Sequence, residues 1–210
     1  MKIVAVICAR SKSTRFPNKV MALLDEKPML HHIIYRTGKA KLIDKVVVAT
    51  VEGDEYIPKF CSRNKIRWYC GNENDILDRI YRGAQLYEAD IIVRVWGDSP
   101  LVDTEIIDKT ICHHFQTKAD YTYSINHPKG QNVAVISMSA LKRMWFEIKK
   151  PEHRLWFHKY LTEQTGGYSL ATYDAGIGYE DLNYSVDTKE DLEKIKEWYG
   201  KGYLPDGRKI

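Results

Sequence analysis

The chain opens on an unbroken apolar run, Ile3 to Ala9, bounded by polar residues and rich in β-branched side chains. It is too short for a helix of its own, and a run without alternation predicts a strand buried on both faces. The stretch from Arg10 to Lys19 then loses all periodicity. Met29, Leu30, Ile33 and Ile34 recur at helical spacing, which predicts a helix from about Pro28 to Lys39 with proline in its first turn. Val46 to Ala49 reads as a second buried strand, Asp54 to Asn64 as a helix and Ile66 to Tyr69 as a short strand. Ile76, Leu77, Ile80, Tyr81 and Ala84 mark an amphipathic helix that Asn74 is placed to cap, and Ile91 to Val95 is a fourth strand. Strands alternating with helices at this rhythm predict βαβ units, a mostly parallel sheet and helices on both of its faces.

The second half is less regular. Ile106 to Phe115 reads as a helix and Asp120 to Ser124 as a strand, leading into Asn126-His127-Pro128-Lys129-Gly130, which has turn chemistry. Leu141 to Lys149 and His153 to Thr165 read as helices separated at Pro151, the second with an aromatic face of Trp156, Phe157 and Tyr160 that needs burial. Tyr168 to Tyr173 suggests a strand. Thr188 with Asp191 resembles a capping box and starts a last helix running to about Tyr199.

Composition narrows the class. A chain of 210 residues with a net charge of +4 fits one globular domain, and it carries no polybasic run or aromatic-basic stripe that would suit nucleic acid. The positive surplus better suits a small anionic substrate. Cys8, Cys61, Cys70 and Cys112 are scattered without a C-x-x-C pair, so buried free thiols in a reducing cytoplasm are expected rather than disulfides or zinc. No stretch has signal-peptide or membrane-spanning length, and a cytoplasmic protein with no membrane partner is expected.

The chemistry concentrates after the first strand. Four cations, Arg10, Lys12, Arg15 and Lys19, alternate with Ser11, Ser13 and Thr14. Open α/β sheets bind ligands at the carboxyl ends of their strands, so this loop suits a molecule with several negative charges, such as a nucleoside triphosphate. Asp98, in Trp96-Gly97-Asp98-Ser99-Pro100 after the fourth strand, would face the same crevice, where a carboxylate can hold the divalent ion that bridges phosphates. Neither G-x-x-x-x-G-K-[ST] nor G-x-G-x-x-G occurs.

The loop reads A-R-x-x-S-x-R-x-P-x-K through Ala9, Arg10, Ser13, Arg15, Pro17 and Lys19. It resembles the signature of the CTP-dependent sugar nucleotidyltransferases, the family of CMP-Kdo and CMP-sialate synthetases, and most of all their spore-coat polysaccharide branch. Lys27-Pro28-Met29-Leu30, the G-D-x-P step at Gly97 and Val186-Asp187-Thr188-Lys189-Glu190-Asp191-Leu192-Glu193 resemble further family motifs. The resemblance implies a single three-layer α/β/α Rossmann-like domain over 1–210 with a mostly parallel mixed sheet. Residues of about 126–180 would then form an acceptor-side and dimerisation subregion, in a homodimer. It implies a cytidylyltransferase that joins CMP from CTP to an anionic sugar or a phosphate or phosphonate acceptor, releasing pyrophosphate. Ala9, Arg10, Ser11, Ser13, Arg15, Lys19 and Asp98 would bind the nucleotide, and Asp98 and Asp187 would hold Mg2+ or Mn2+. Arg10 and Lys19 would act at the phosphates, joined by Arg79 from a stretch matching E-D-x-L-D-R with Asn74 in place of the acid.

This chain also departs from the pattern. Lys12 and Asn18 replace glycines of the loop; Asn132 and Ala134 stand where the family has two acids on the acceptor side. His127, Lys129 and Asn132 are the polar groups left to meet an acceptor, His127 and Lys129 otherwise being expected as exposed loop residues. Two rival readings stay open: a glycosyltransferase of similar fold, disfavoured by the lack of D-x-D after the fourth strand, and a nucleotide-binding regulator that has lost turnover.

Overall fold

The computed structural model describes residues 1–163 and 167–210. In chain order it runs β1 (Ile3–Cys8), a 3-10 turn (Lys19–Met21), β2 (Leu23–Leu24), β3 (Lys27–Pro28), α1 (Met29–Lys39), β4 (Lys45–Val51), α2 (Tyr56–Arg63), β5 (Arg67–Gly71), α3 (Ile76–Leu86), β6 (Ile91–Trp96) and α4 (Thr104–Thr117). It continues through β7 (Tyr121–Ile125), β8 (Ala134–Ser137), α5 (Met138–Glu147), α6 (Pro151–Leu155), α7 (Phe157–Glu163), β9 (Leu170–Asp174) and α8 (Lys189–Lys201).

The sheet has seven strands in the order β5-β4-β1-β6-β8-β7-β9. All neighbours pair parallel except at β8, which runs antiparallel to both β6 and β7. Helices cover both faces, as expected of a three-layer Rossmann-like fold. Ala5, Ile7, Val48, Val93 and Val95 pack on one side with residues of α1, α2, α4 and α8. Val4, Val6, Val47, Ala49 and Ile92 pack on the other with residues of α3, α5 and α7. That two-sided burial is why β1 carries no alternation of polar and apolar residues. Among the described residues no helix is long and apolar enough to cross a membrane.

β1 is central because the chain leaves it in both directions, toward β4 on one side and β6 on the other. A crevice opens at the carboxyl ends of strands at such a switch point. Gly97, just past β6, lets the two strand ends touch there: its N–H donates to the Cys8 carbonyl at 2.9 Å. A Cβ at position 97 would lie 2.5 Å from that same oxygen and 2.8 Å from Ala9 Cα.

The structure differs from the sequence expectations at several points. The cap of α3 is Asp75, whose side chain accepts from Asp78 N, and not Asn74. Pro28 lies in an extended conformation just before α1 and pairs with Leu23 in a two-residue hairpin that hydrophobic spacing does not reveal. The expected helix over 153–165 is two short helices broken at Trp156, and its expected end at Thr165 lies outside the described residues. Its aromatic face divides as well: Phe157 is fully buried, whereas Trp156 is 53% exposed. All four cysteines are free as expected, but only Cys61 is buried. The capping box of α8, Thr188 with Asp191, forms as read from the sequence.

The polar tail, without evident signal in the sequence, is tied down. Arg208 donates to Asp103 at 2.8 Å, to Gln131 at 2.7 Å and to Asp206 at 2.6 Å, and Gln131 reaches the Leu101 carbonyl at 3.0 Å. The tail thereby fixes the loop before β8. The close approach at Gly97 makes a direct prediction. Gly97→Ala is expected to lower stability by about 1–3 kcal/mol, the usual cost of overpacking a rigid site, read as a fall in the urea midpoint. A neutral effect would mean the strand ends are free to separate.

Candidate active site

The loop after β1 is closed by its own backbone and anchored from beneath. Asn18 N donates to Ser11 O at 2.8 Å, and Phe16 is buried in the core. Ser11 N donates to Asp54 Oδ2 at 2.7 Å, while the other Asp54 oxygen accepts from Tyr56 N and Ile57 N at 3.1 Å each. Asp54 therefore fixes the loop and starts α2 at once, a role with no motif to reveal it. Asn18 adopts a φ of 56°, a left-handed conformation that asparagine reaches more easily than most residues. The loss of glycine there is tolerated for that reason.

The loop folds over a cleft of about 270 Å³ whose walls include Ala9, Arg10, Ser13, Arg15, Lys19 and Asp98, together with Asp187. Lys19 is its centre. Its side chain is 13% exposed, and Nζ donates to the Val186 carbonyl at 2.8 Å and to Asp187 Oδ1 at 2.9 Å. Asp98 Oδ2 lies 3.7 Å from the same nitrogen. Arg15 lies 3.1 Å from Asp187 Oδ1, and Lys129 Nζ lies 4.0 Å from Asp187 Oδ2. Burial raises the Asp187 pKa, but the Lys19 hydrogen bond and the charges of Lys19, Arg15 and Lys129 outweigh it and hold the group below the ordinary carboxylate range. Arg10 pairs with Glu73 at the cleft's other rim.

Backbone bonds hold these carboxylates in place. Val186 N donates to the Asp98 carbonyl at 2.8 Å, so the end of β6 and the segment before α8 are bonded directly. Asp187 N and Thr188 N both donate to Asp191 Oδ2 at 2.9 Å. Gly130, at φ 89°, allows the loop before β8 to lie against this segment, since a Cβ there would sit 2.5 Å from Ser185 N.

Two smaller cavities share wall residues with the cleft. One of about 140 Å³ shares Trp96, Asp98 and Asp187 with it and adds Lys129, Gly130 and Asn132. A second, of about 240 Å³, shares Trp96 and Asn132 with the first and runs on past Tyr121, Tyr123 and His158. Lys129 and Asn132 thus lie beside the cleft.

Other candidate residues sit elsewhere. Ser11 is buried beneath the loop and does not line the cleft. His127 is buried, not exposed, with its ring nitrogens 2.9 Å from Ser124 Oγ and 3.0 Å from the Pro128 carbonyl, so it shapes the loop. Arg79 is 4% exposed, not on the surface; its stem packs near Gly71, and its Nε and Nη1 find no hydrogen-bond partner. Its neighbour Asp78 accepts from Trp145 Nε1 at 2.6 Å and ties α3 to α5. Lys12 is exposed and stands off the cleft. Trp156 was not read as a site residue, yet it forms one wall.

Known proteins resemble this chain in sequence and in fold. The cytidylyltransferase family model matches residues 4–210. The spore coat polysaccharide biosynthesis protein SpsF of Bacillus subtilis is 31% identical over 217 residues, covering 97% of this chain and 89% of its own. A 3-deoxy-manno-octulosonate cytidylyltransferase of Pelobacter propionicus is 42% identical over 113 residues, covering 53% of this chain and 44% of its own. The solved structure of a cytidylyltransferase from Leptospira borgpetersenii superposes with a TM-score of 0.90 at 25% identity, covering 100% of this chain and 90% of its own.

The Asp187 cluster predicts a pH dependence. A carboxylate with a depressed folded pKa contributes stability above its unfolded value, and that contribution is lost as pH falls through the folded one. Asp187→Asn is expected to lower the urea midpoint at neutral pH, with the gap to wild type closing below a pH of about 4. A gap that stays constant into acid would show that the cations contribute nothing through Asp187.

Proposed function

The chain belongs to the cytidylyltransferase family, and from that premise we propose that it transfers CMP from CTP to a sugar, sugar acid or phosphate or phosphonate acceptor, in the making of a surface polysaccharide or glycoconjugate. The observation that carries this reading is Lys19, held between Asp98 and Asp187 in a cleft roofed by Arg10 and Arg15. The arrangement suits a polyphosphate, whose charge is about −4 for a free triphosphate. In this reading an acceptor oxygen attacks the α-phosphorus. A new oxygen–phosphorus bond forms, the bond to the β-phosphate bridge breaks, and pyrophosphate leaves with the electron pair. A hydroxyl acceptor loses its proton to solvent, whereas an anionic oxygen needs no base.

The protein's part is positioning and charge. Lys19 lies deepest and faces the α-phosphate, where charge develops; Arg15 and Arg10 hold the outer phosphates. The main chain after β1 sets their spacing through the Asp54 anchor. Asp98 and Asp187 fit a Mg2+ or Mn2+ ion, because they already share one ammonium group and supply hard oxygen donors. Among the described residues no cluster of three metal-ligating side chains occurs, which suits an ion held by one or two carboxylates plus substrate phosphates. When bound, such an ion neutralises and orients the phosphates. In this reading Lys129 and Asn132, which line the cavity beside the cleft, meet the acceptor.

Two variants test these roles through pyrophosphate release from CTP with a panel of sugar acids and sugar phosphates. Lys19→Ala is expected to slow turnover at saturating CTP by on the order of a hundredfold, as for other donors at a reacting centre. Asp98→Asn is expected to abolish turnover with little change in thermal midpoint. An unchanged rate for Lys19→Ala would remove the assignment of the loop. Binding of CTP without release under any acceptor would turn the reading toward a regulator.

A further inference from the structure

Arg94 lies within β6, inside an otherwise apolar strand, and is 2% exposed. Its guanidinium carbon sits 4.4 Å from the centroid of the Trp96 ring and 5.1 Å from that of Phe157. Nη1 donates to His158 Nδ1 at 3.1 Å, and Nε is buried without a partner. Because arginine can only donate, Nδ1 of His158 is the acceptor and the imidazole is neutral. Burial, then the Arg94 and Lys159 charges, lower its pKa to about 4. Tyr121 stays neutral as well: burial pushes its hydroxyl up to about 12, and the Arg94 charge only partly opposes this. On the neighbouring strand the residue opposite Arg94 is Ala134, which brings no acid.

A guanidinium remains charged at every pH the protein meets, and a buried ion without a counter-charge is costly. The cations that line the cleft and its smaller neighbour have carboxylate partners: Arg10 has Glu73, Arg15 and Lys129 have Asp187, and Lys19 has both aspartates, whereas Arg79, buried at the start of α3, has none among the described residues. Arg94 likewise has none among them. Arg94 lies behind the wall of the cavity of about 240 Å³, whose lining includes Trp96, on which the guanidinium stacks, and His158, to which it bonds, together with Tyr121. That cavity shares Trp96 and Asn132 with the smaller one that Asp98 and Asp187 line.

We propose that this cavity binds the oxyanion of the acceptor, a carboxylate or a phosphate, with Arg94 as its counter-charge and Trp96 and Tyr123 packing on the acceptor's carbon skeleton. The assignment rests on the transferase reading above and names its specificity determinant. An anionic acceptor completes the charge balance of the fold; a neutral sugar leaves Arg94 uncompensated. The absence of an acid at Ala134 is then part of the same device, because a glutamate opposite Arg94 would occupy the guanidinium from within.

The test follows the His158 ring by NMR in protein saturated with CTP, so that the phosphate loop is filled. Sodium acetate and sodium phosphate are titrated separately, with sodium chloride at matched ionic strength as the control. The expected result is a saturable shift of the His158 signals with one of the two anions, acetate marking a carboxylate site and phosphate a phosphate site. Arg94→Met, which keeps the volume and removes the charge, is expected to weaken that binding at least tenfold while leaving the thermal shift by CTP intact. No saturable response in the wild-type protein, or a response that survives in Arg94→Met, overturns the proposal. Failure of CTP itself to bind would instead sink the transferase reading, and the His158 titration can still be read in CTP-free protein.

Discussion

The ammonium group of Lys19 is the constraint on which the rest depends. It bonds to Asp187 across 168 positions of the chain and lies close to Asp98 as well. Three segments meet on this one nitrogen: the loop after β1, the end of β6 and the turn before α8. Each arrives there for a reason visible in its own neighbourhood. Asp54 anchors the loop, Gly97 lets β6 end against β1, and the Thr188–Asp191 box fixes the start of α8. A largely buried cation with carboxylate partners is favourable only while its geometry holds, so the site and the closure of the fold support one another.

Beyond Lys19 the polar groups fall into a graded row. At one end, the loop cations Arg15 and Lys19 face the carboxylates of Asp98 and Asp187. In the middle, Lys129 and Asn132 border a small cavity. At the far end Arg94 carries a charge that no carboxylate answers among the described residues. The row runs along Trp96, which lines all three cavities. A nucleotide and an acceptor laid along it would meet near the two aspartates.

Much of this was legible in the residues. The run from Ile3 to Ala9 reads as a strand buried on both faces because neither face carries polar groups, and the spacing of cations after it points to the cleft. The Thr188–Asp191 pair announces its helix for an equally local reason. What escaped is set by distant partners. Arg94 looks like an interruption in an apolar strand until Trp96, Phe157 and His158 are seen to enclose it. His127 and Arg79 carry surface chemistry, and only tertiary packing buries them. Asn74 and Asp75 are both good caps, and apolar spacing does not resolve one residue from the next. Trp156 could not be told from Phe157 beside it, although one lines the cleft and the other the core.

The central claim is that the loop after β1 holds a cytidine nucleotide. It is tested most directly by thermal midpoints in the presence of CTP, ATP, GTP and UTP, each with and without Mg2+. A ligand at a hundred times its dissociation constant adds about 2.7 kcal/mol to stability. The account predicts a shift for CTP that exceeds those of the other three and grows with the metal ion. No shift with any nucleotide, or equal shifts with all four, would contradict it.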